Sequence, residues 1–336
     1  MKPLFKTALF FLVIFPTFCL GDASTFAQRK EVQEFVTKMV EKHQFSRESL
    51  QAWFQQITLQ PSILQAISKP AEKYPWYRYE AIFMTPLRIE EGVKFWQKNE
   101  ALLNQAYQKF GVEPEYIVAI LGVETLYGKG KGQYKVLDSL ATLGFDYPPR
   151  SQFFLSELEQ FLLLAREENW DPTQIKGSYA GAMGAAQFIP SSYRQYAIDF
   201  TGNGKRDLFD DADAIGSIAN YFKVHGWQTH DLVVIPAKAD AEPLKPYIAS
   251  KFNPKPQHTL AFLKQHGLEL NPTDNIQDEK KFALIALENK AGTEYWLGAQ
   301  NFYVITRYNR SDHYAMAVYN LSQEVKKRFD ANKSTA

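Results

Sequence analysis

One cysteine in 336 residues, Cys19, excludes an intramolecular disulfide framework and any zinc site built on cysteine pairs. Six scattered histidines offer no ligand spacing, which argues against catalytic zinc. An excess of either charge is missing too: 38 Lys and Arg face 37 Asp and Glu, for a formal net charge of +1. No global field then recruits nucleic acid or an anionic membrane surface. No collagen-like or low-complexity period occurs, and a hydrophobic content of 45% is too high for a disordered chain. What is present is a chain long enough for a real core, about two domains by size, with aromatics at 15%.

The first 21 residues read as a segment apart from the fold. Lys2 and Lys6 precede the apolar run Ala8 to Phe15, and Gly21-Asp22-Ala23 supplies small residues for cleavage. The run is short for a transmembrane helix and has no polar face for a cytosolic amphipathic helix. It predicts a signal peptide over 1–21 and a periplasmic protein. A lipid-anchored Cys19, and with it an outer-membrane lipoprotein, is the alternative; bulky Phe18 directly before the cysteine argues against it. Removing the leader leaves a cysteine-free chain, suited to an oxidising compartment.

Helices come first and strands late, which predicts an α+β class, mainly helical, rather than alternating α/β. Residues 22–112 read as a helical N-terminal region. Val32, Phe35, Val36, Met39 and Val40 recur at helical spacing, Ser46 opens a second helix through Leu50, Trp53 and Phe54, and Gly111 closes the segment. Pro114 sits where the next helix starts, and 113–230 holds helices joined by glycine-rich loops. Strand-like runs follow at Leu232–Ile235, Phe282–Leu287, Glu294–Leu297 and Phe302–Ile305. Residues 231–300 read as a small β domain with no catalytic constellation, and 301–330 as a return to the core ending in a helix.

The run Pro114 to Glu124 is the most informative. Ile117, Ile120 and Leu121 mark a buried face, and Glu124 falls on it four residues after Ile120 and three after Leu121. Gly128 follows, so the carboxyl lies near the C-terminal end of the helix, where the macrodipole disfavours an anion. Desolvation and dipole would both raise its pKa, the means by which a protein keeps a proton on Glu near neutral pH. Glu124 is therefore the candidate general acid; a Glu tilted to solvent or paired with a cation is the alternative.

Glu124-Thr125-Leu126-Tyr127-Gly128, followed by Gly177-Ser178-Tyr179-Ala180-Gly181-Ala182-Met183-Gly184-Ala185-Ala186-Gln187-Phe188-Ile189-Pro190, resembles the lytic murein transglycosylases, above all the B-type family. Asp199-Phe200-Thr201-Gly202-Asn203-Gly204, Ala219-Asn220-Tyr221-Phe222 and Tyr308-Asn309-Arg310-Ser311 extend the match from Tyr74 to Tyr319. The resemblance implies a lysozyme-like catalytic core with Glu124 as the sole acid/base. Its substrate would be peptidoglycan glycan strands, cut at the β-1,4 bond from N-acetylmuramic acid to N-acetylglucosamine without water, leaving a 1,6-anhydro end. It places Ser178 and Asn309 near the reacting sugar, and Gln187, Tyr79, Tyr221, Tyr308 and Tyr314 along the saccharide cleft. Arg150 matches one of two adjacent arginines common in the family. Pro149 stands where the other would be, so recognition of a lactyl or peptide carboxylate is expected to differ.

The inventory agrees with one-carboxyl chemistry. An ordinary glycosidase needs a second carboxylate roughly 5–9.5 Å from the first, and the 177–190 loop contains none. With the substrate's N-acetyl group stabilising the oxocarbenium and its own 6-hydroxyl attacking, one carboxyl suffices. The small residues of the loop let a sugar approach the backbone. A hydrolytic muramidase on the same scaffold and a non-catalytic peptidoglycan-binding protein are the rival readings.

Asp199-x-Thr201-x-Asn203-Gly204-Lys205 follows the EF-hand layout, with side-chain oxygens at positions 1, 3 and 5, Gly at 6 and the Lys205 carbonyl at 7. Asp210, at position 12, is short for a bidentate reach. The resemblance favours a longer loop, 199–213, closed by Asp213. A weakly held structural Ca2+ is expected, with no cofactor for catalysis; a turn that binds no metal is the alternative. A monomer is expected.

Overall fold

The structure, a computed structural model, describes residues 26–68, 73–239, 241–271 and 275–334. The leader expected over 1–21, Cys19 included, lies outside the described residues. Among those described, no helix is long and apolar enough to cross a membrane. The chain divides into two compact units between Thr58 and Leu59. The first holds α1 (Lys30–His43) and α2 (Arg47–Phe54). Val32, Phe35, Val36 and Met39 form the buried stripe of α1, and Ser46 caps α2 by accepting the Ser49 N–H.

The second unit carries every candidate site residue. Its helices are α3 (Pro61–Ile67), α4 (Trp76–Phe83), α5 (Pro86–Lys98), α6 (Glu100–Phe110), α7 (Pro114–Thr125), α8 (Val136–Asp146), α9 (Ser151–Glu167), α10 (Pro190–Tyr196), α11 (Asp211–Val224), α12 (Ala241–Leu244), α13 (Leu260–Gln265), α14 (Gln300–Tyr308) and α15 (Asp312–Ser334). The helices through Phe110, read above with the N-terminal region, thus fall on both sides of the unit boundary. Gly111 closes α6 in the left-handed conformation and Pro114 opens α7. Tyr116 through Gly122 and Thr125 are all buried, so α7 is a core helix apolar all round, not the one-sided stripe of the sequence reading. It packs against α5, α6, α11 and α15.

Two short strands, β1 (Tyr134–Lys135) and β2 (Lys176–Gly177), pair antiparallel and fix the start of the glycine-rich loop. The strands β3 (Val234–Ala239), β4 (His258–Thr259), β5 (Leu268–Glu269), β6 (Lys281–Asn289) and β7 (Gly292–Gly298) form one antiparallel sheet in the order β4-β6-β7-β3-β5. Leu244, Leu260, Leu263, Phe282, Leu284 and Leu297 build its own core. The run Phe302–Ile305, expected as a strand, lies instead inside α14. A short apolar run cannot be told from a buried helix by periodicity. Here Phe302 packs directly on Gly298, the last residue of β7, leaving no room for a Cβ there.

Candidate active site

The last turn of α7 is held from several sides. Leu126 and Tyr127 both have positive φ, 50° and 59°, an uncommon conformation for residues with side chains. Their N–H groups close the helix on the carbonyls of Gly122 (3.2 Å) and Leu121 (2.9 Å). The Tyr127 hydroxyl donates to the Arg88 carbonyl at 2.9 Å, and Arg88 Nε donates to the Gly122 carbonyl at 3.0 Å. A cation thus stands at the negative end of the α7 dipole. Thr125 Oγ1 accepts from the Gly128 N–H and donates to the Ala185 carbonyl, both at 2.9 Å, tying the helix end to the glycine-rich loop. Glu124 sits half-buried on this turn.

The Tyr314 hydroxyl donates to Glu124 Oε1 at 2.5 Å. Tyr308 stacks parallel to Tyr314, with ring centroids 6.4 Å apart, and meets Tyr221 edge-on at 5.0 Å. Burial, and then the nearby Glu124 charge, pushes both the Tyr308 and Tyr314 phenols well above their usual range, so both stay protonated as donors. Burial likewise raises Tyr221. Tyr308 donates to the Ala186 carbonyl and Tyr221 to the Arg307 carbonyl, each at 2.6 Å. Their hydroxyl protons therefore build the wall, and only their lone pairs remain for a sugar. Phe188, which no sequence signal singled out, fills the corner between the Tyr221 and Tyr308 rings.

The glycine-rich loop faces this wall. Ser178 Oγ accepts the N–H groups of Ala182 (3.0 Å) and Ala180 (3.3 Å). Its own proton has no protein acceptor among the described residues, which leaves the hydroxyl as a donor to a ligand. Gln187, at φ 51°, donates its amide to the carbonyls of Gly184 (2.9 Å) and Lys131 (3.3 Å), so its carbonyl oxygen is the end left to accept from a ligand. Gly184, at φ 72°, lets the backbone pass so close to Leu208 that a Cβ would collide with that residue's carbonyl. Asn309 follows Tyr308 directly, as the extended residue that ends α14. Tyr79 is only 2% exposed, packed on Trp76, Phe83 and His313. Arg150 immediately precedes α9, its guanidinium 4.3 Å above the Phe153 ring. No carboxylate meets it among the described residues.

The 199–213 loop abuts the glycine-rich loop through the Leu208 carbonyl, which accepts the Ala185 N–H at 2.7 Å. Asp199 accepts from the N–H groups of Gly202, Asn203 and Gly204 at 2.7, 3.0 and 2.6 Å. Desolvation acts to raise this carboxyl, but the N–H donors outweigh it and hold its pKa below the ordinary value. Asn203 Oδ1 accepts the Lys205 N–H. Asp213, 1% exposed, turns both oxygens into the loop, onto the N–H groups of Phe200 (2.9 Å) and Asp207 (2.8 Å). Asp210 instead caps α11 by accepting the Ala212 N–H. The loop-facing carboxylate is therefore Asp213. The donor set of Asp199, Thr201, Asn203, the Lys205 carbonyl and Asp213 is all hard oxygen, which fits calcium rather than a transition metal.

A half-buried carboxyl at a strained helix end, a tyrosine wall and a small-residue loop thus meet on a mainly helical fold. The family model described as "Transglycosylase SLT domain" matches residues 27–323. The membrane-bound lytic murein transglycosylase B of Escherichia coli K12 is 45% identical over 310 residues, 89% of this chain and 84% of that protein. The lytic transglycosylase Slt35 of Escherichia coli, solved in complex with calcium, superposes with a TM-score of 0.82 at 45% identity, covering 90% of this chain and 95% of that one. SltB3 of Pseudomonas aeruginosa, solved with NAG-anhNAM-pentapeptide, does so with a TM-score of 0.77 at 27% identity over 88% and 78% of the two chains. The chain belongs to the lytic transglycosylase SLT family.

Proposed function

We propose that this chain is a peptidoglycan lytic transglycosylase of the periplasm, with Glu124 as its single acid/base. The observation that carries the reading is the Tyr314 hydroxyl on Glu124 Oε1, where the α7 end, the tyrosine wall and the glycine-rich loop converge. Glu124 protonates the glycosidic oxygen as its bond to the muramoyl anomeric carbon breaks. The substrate's N-acetyl carbonyl stabilises the cationic carbon. The sugar's 6-hydroxyl then attacks that carbon and returns its proton to Glu124, closing the 1,6-anhydro ring. A tethered hydroxyl competes with water through its high effective molarity. Ser178 donates to the reacting sugar, Asn309 flanks it, and Gln187, Tyr221, Tyr308 and Tyr314 line the cleft, with Tyr79 packed behind it. Arg150, single where the family often has a pair, meets a peptide or lactyl carboxylate. Glu124→Gln separates this reading from a binding protein: lysis of sacculi should vanish while pelleting with sacculi persists, and unchanged lysis would remove Glu124 from the reaction.

Calcium fits the 199–213 loop as a structural ion held by Asp199, Thr201, Asn203, the Lys205 carbonyl and Asp213. When bound it neutralises two carboxylates and stiffens the loop that braces Ala185. Lys131 reaches the same loop, donating from Nζ to the Phe209 carbonyl at 2.8 Å, and its own carbonyl holds Gln187.

A further inference from the structure

We propose that the β domain serves catalysis by bracing the start of α15, with Asp312 and His313 as positioning residues for the Tyr314–Glu124 hydrogen bond. The proposal rests on the reading of Glu124 as the acid/base.

The brace can be followed residue by residue. Ile248 bridges to Leu284 of β6, and the Ala249 N–H donates to the Leu284 carbonyl at 2.8 Å. Two residues on, the Lys251 carbonyl accepts the Asp312 N–H at 2.9 Å. Asp312 is the first residue of α15, where a helix has N–H groups with no partner of its own. Ser311 Oγ accepts the Tyr314 N–H at 3.3 Å in the same turn. Nearby, Arg307 Nη1 donates to Asn253 Oδ1 at 3.4 Å, so the β-domain loop grips the α14–α15 corner at two points. Tyr314, two residues after Asp312, delivers its hydroxyl to Glu124.

His313 wedges the other side. It is 5% exposed, its ring lies 5.7 Å from Trp76 and 5.5 Å from Tyr79, and its Nδ1 has no hydrogen-bond partner among the described residues. A buried, unpartnered nitrogen is a standing cost, accepted here where the ring sets α4 against the α15 turn. Burial, with the Lys251 charge, lowers its pKa to about 4, so at neutral pH it is an uncharged wedge.

A double-mutant cycle tests the brace. Asp312→Pro removes the N–H that reaches Lys251 while suiting the first helical position; Asp312→Asn keeps that N–H and controls for the carboxyl. If the brace acts through Tyr314, Asp312→Pro lowers kcat about tenfold with KM little changed, and adding it to Tyr314→Phe costs less than about twofold more. Full multiplication of the two losses, or a loss confined to KM, would overturn the proposal. His313→Ala and His313→Phe give a second route should the proline variant not fold. The alanine variant should lose kcat without further loss in the Tyr314→Phe background, and the phenylalanine ring should restore it; equal loss in both, or additivity, contradicts the wedge. Persisting activity in Glu124→Gln would instead strike the reading beneath.

Discussion

Glu124 was legible as a residue because an acid interrupts the apolar run Ile117 to Val123. Its setting was not, since contact with Tyr314 spans 190 positions and no local pattern announces it. Tyr314→Phe isolates that contact. Loss of a hydrogen bond to a charged group costs about 1.5–3 kcal/mol, so kcat/KM should fall roughly tenfold to a hundredfold. Because the hydroxyl donates to the carboxyl and favours its ionised form, the basic limb of the activity profile should also move to higher pH. Steady-state assays across pH on a soluble muropeptide check both; an unmoved limb with unaltered turnover would leave Tyr314 a packing residue. Ser178 shows the same limit of sequence reasoning. The family resemblance implied its proximity to the sugar, but only the two N–H groups it accepts reveal that its proton is available.

Among the elements, those with punctuation were readable: Ser46 at α2, Pro114 at α7, Gly111 after α6. The element without it, α14, was not, because Phe302–Ile305 fits a strand as well as a buried helix. The glycine-rich loop depends on backbone freedom at Gly132, where φ is 93° and a Cβ would collide with the Gly177 carbonyl across the β1–β2 pair. Gly132→Ala should therefore lower stability by about 2 kcal/mol or more, read as a drop in melting temperature, with no drop counting against a fixed loop. The 199–213 loop gives a separate expectation. A chelator should lower the melting temperature, added calcium should restore it, and Asp213→Asn should abolish the difference. A melting temperature indifferent to calcium would mark the loop as a turn that holds no ion.

Across the molecule, no sequence pattern announces the link between the β domain and α15, because an N–H at a helix start can find any carbonyl. That junction should leave a mark on the pH dependence of stability. Burial raises Asp312 from 3.8 to about 6, so the protein binds a proton there that the unfolded chain has lost. The stabilisation is full below about pH 3.8 and declines as pH rises to 6. His313, lowered from 6.5 to about 4, acts oppositely, its contribution fading as pH falls from 6.5 to 4. Between pH 4 and 6 the two slopes oppose. Asp312→Asn removes one of them, so its stability relative to the parent should rise by about 2 kcal/mol from pH 4 to 6.5. Urea unfolding at several pH values checks this, and parallel curves would contradict it.

In the proposed reaction Glu124 works with the sugar's own hydroxyl and not with water. Digestion of purified sacculi in water enriched in heavy oxygen, followed by mass spectrometry of the muropeptides, addresses it directly. The expected products are 1,6-anhydromuramoyl ends carrying no heavy oxygen. Reducing ends heavier by one labelled water would make the protein a hydrolase and overturn the mechanism.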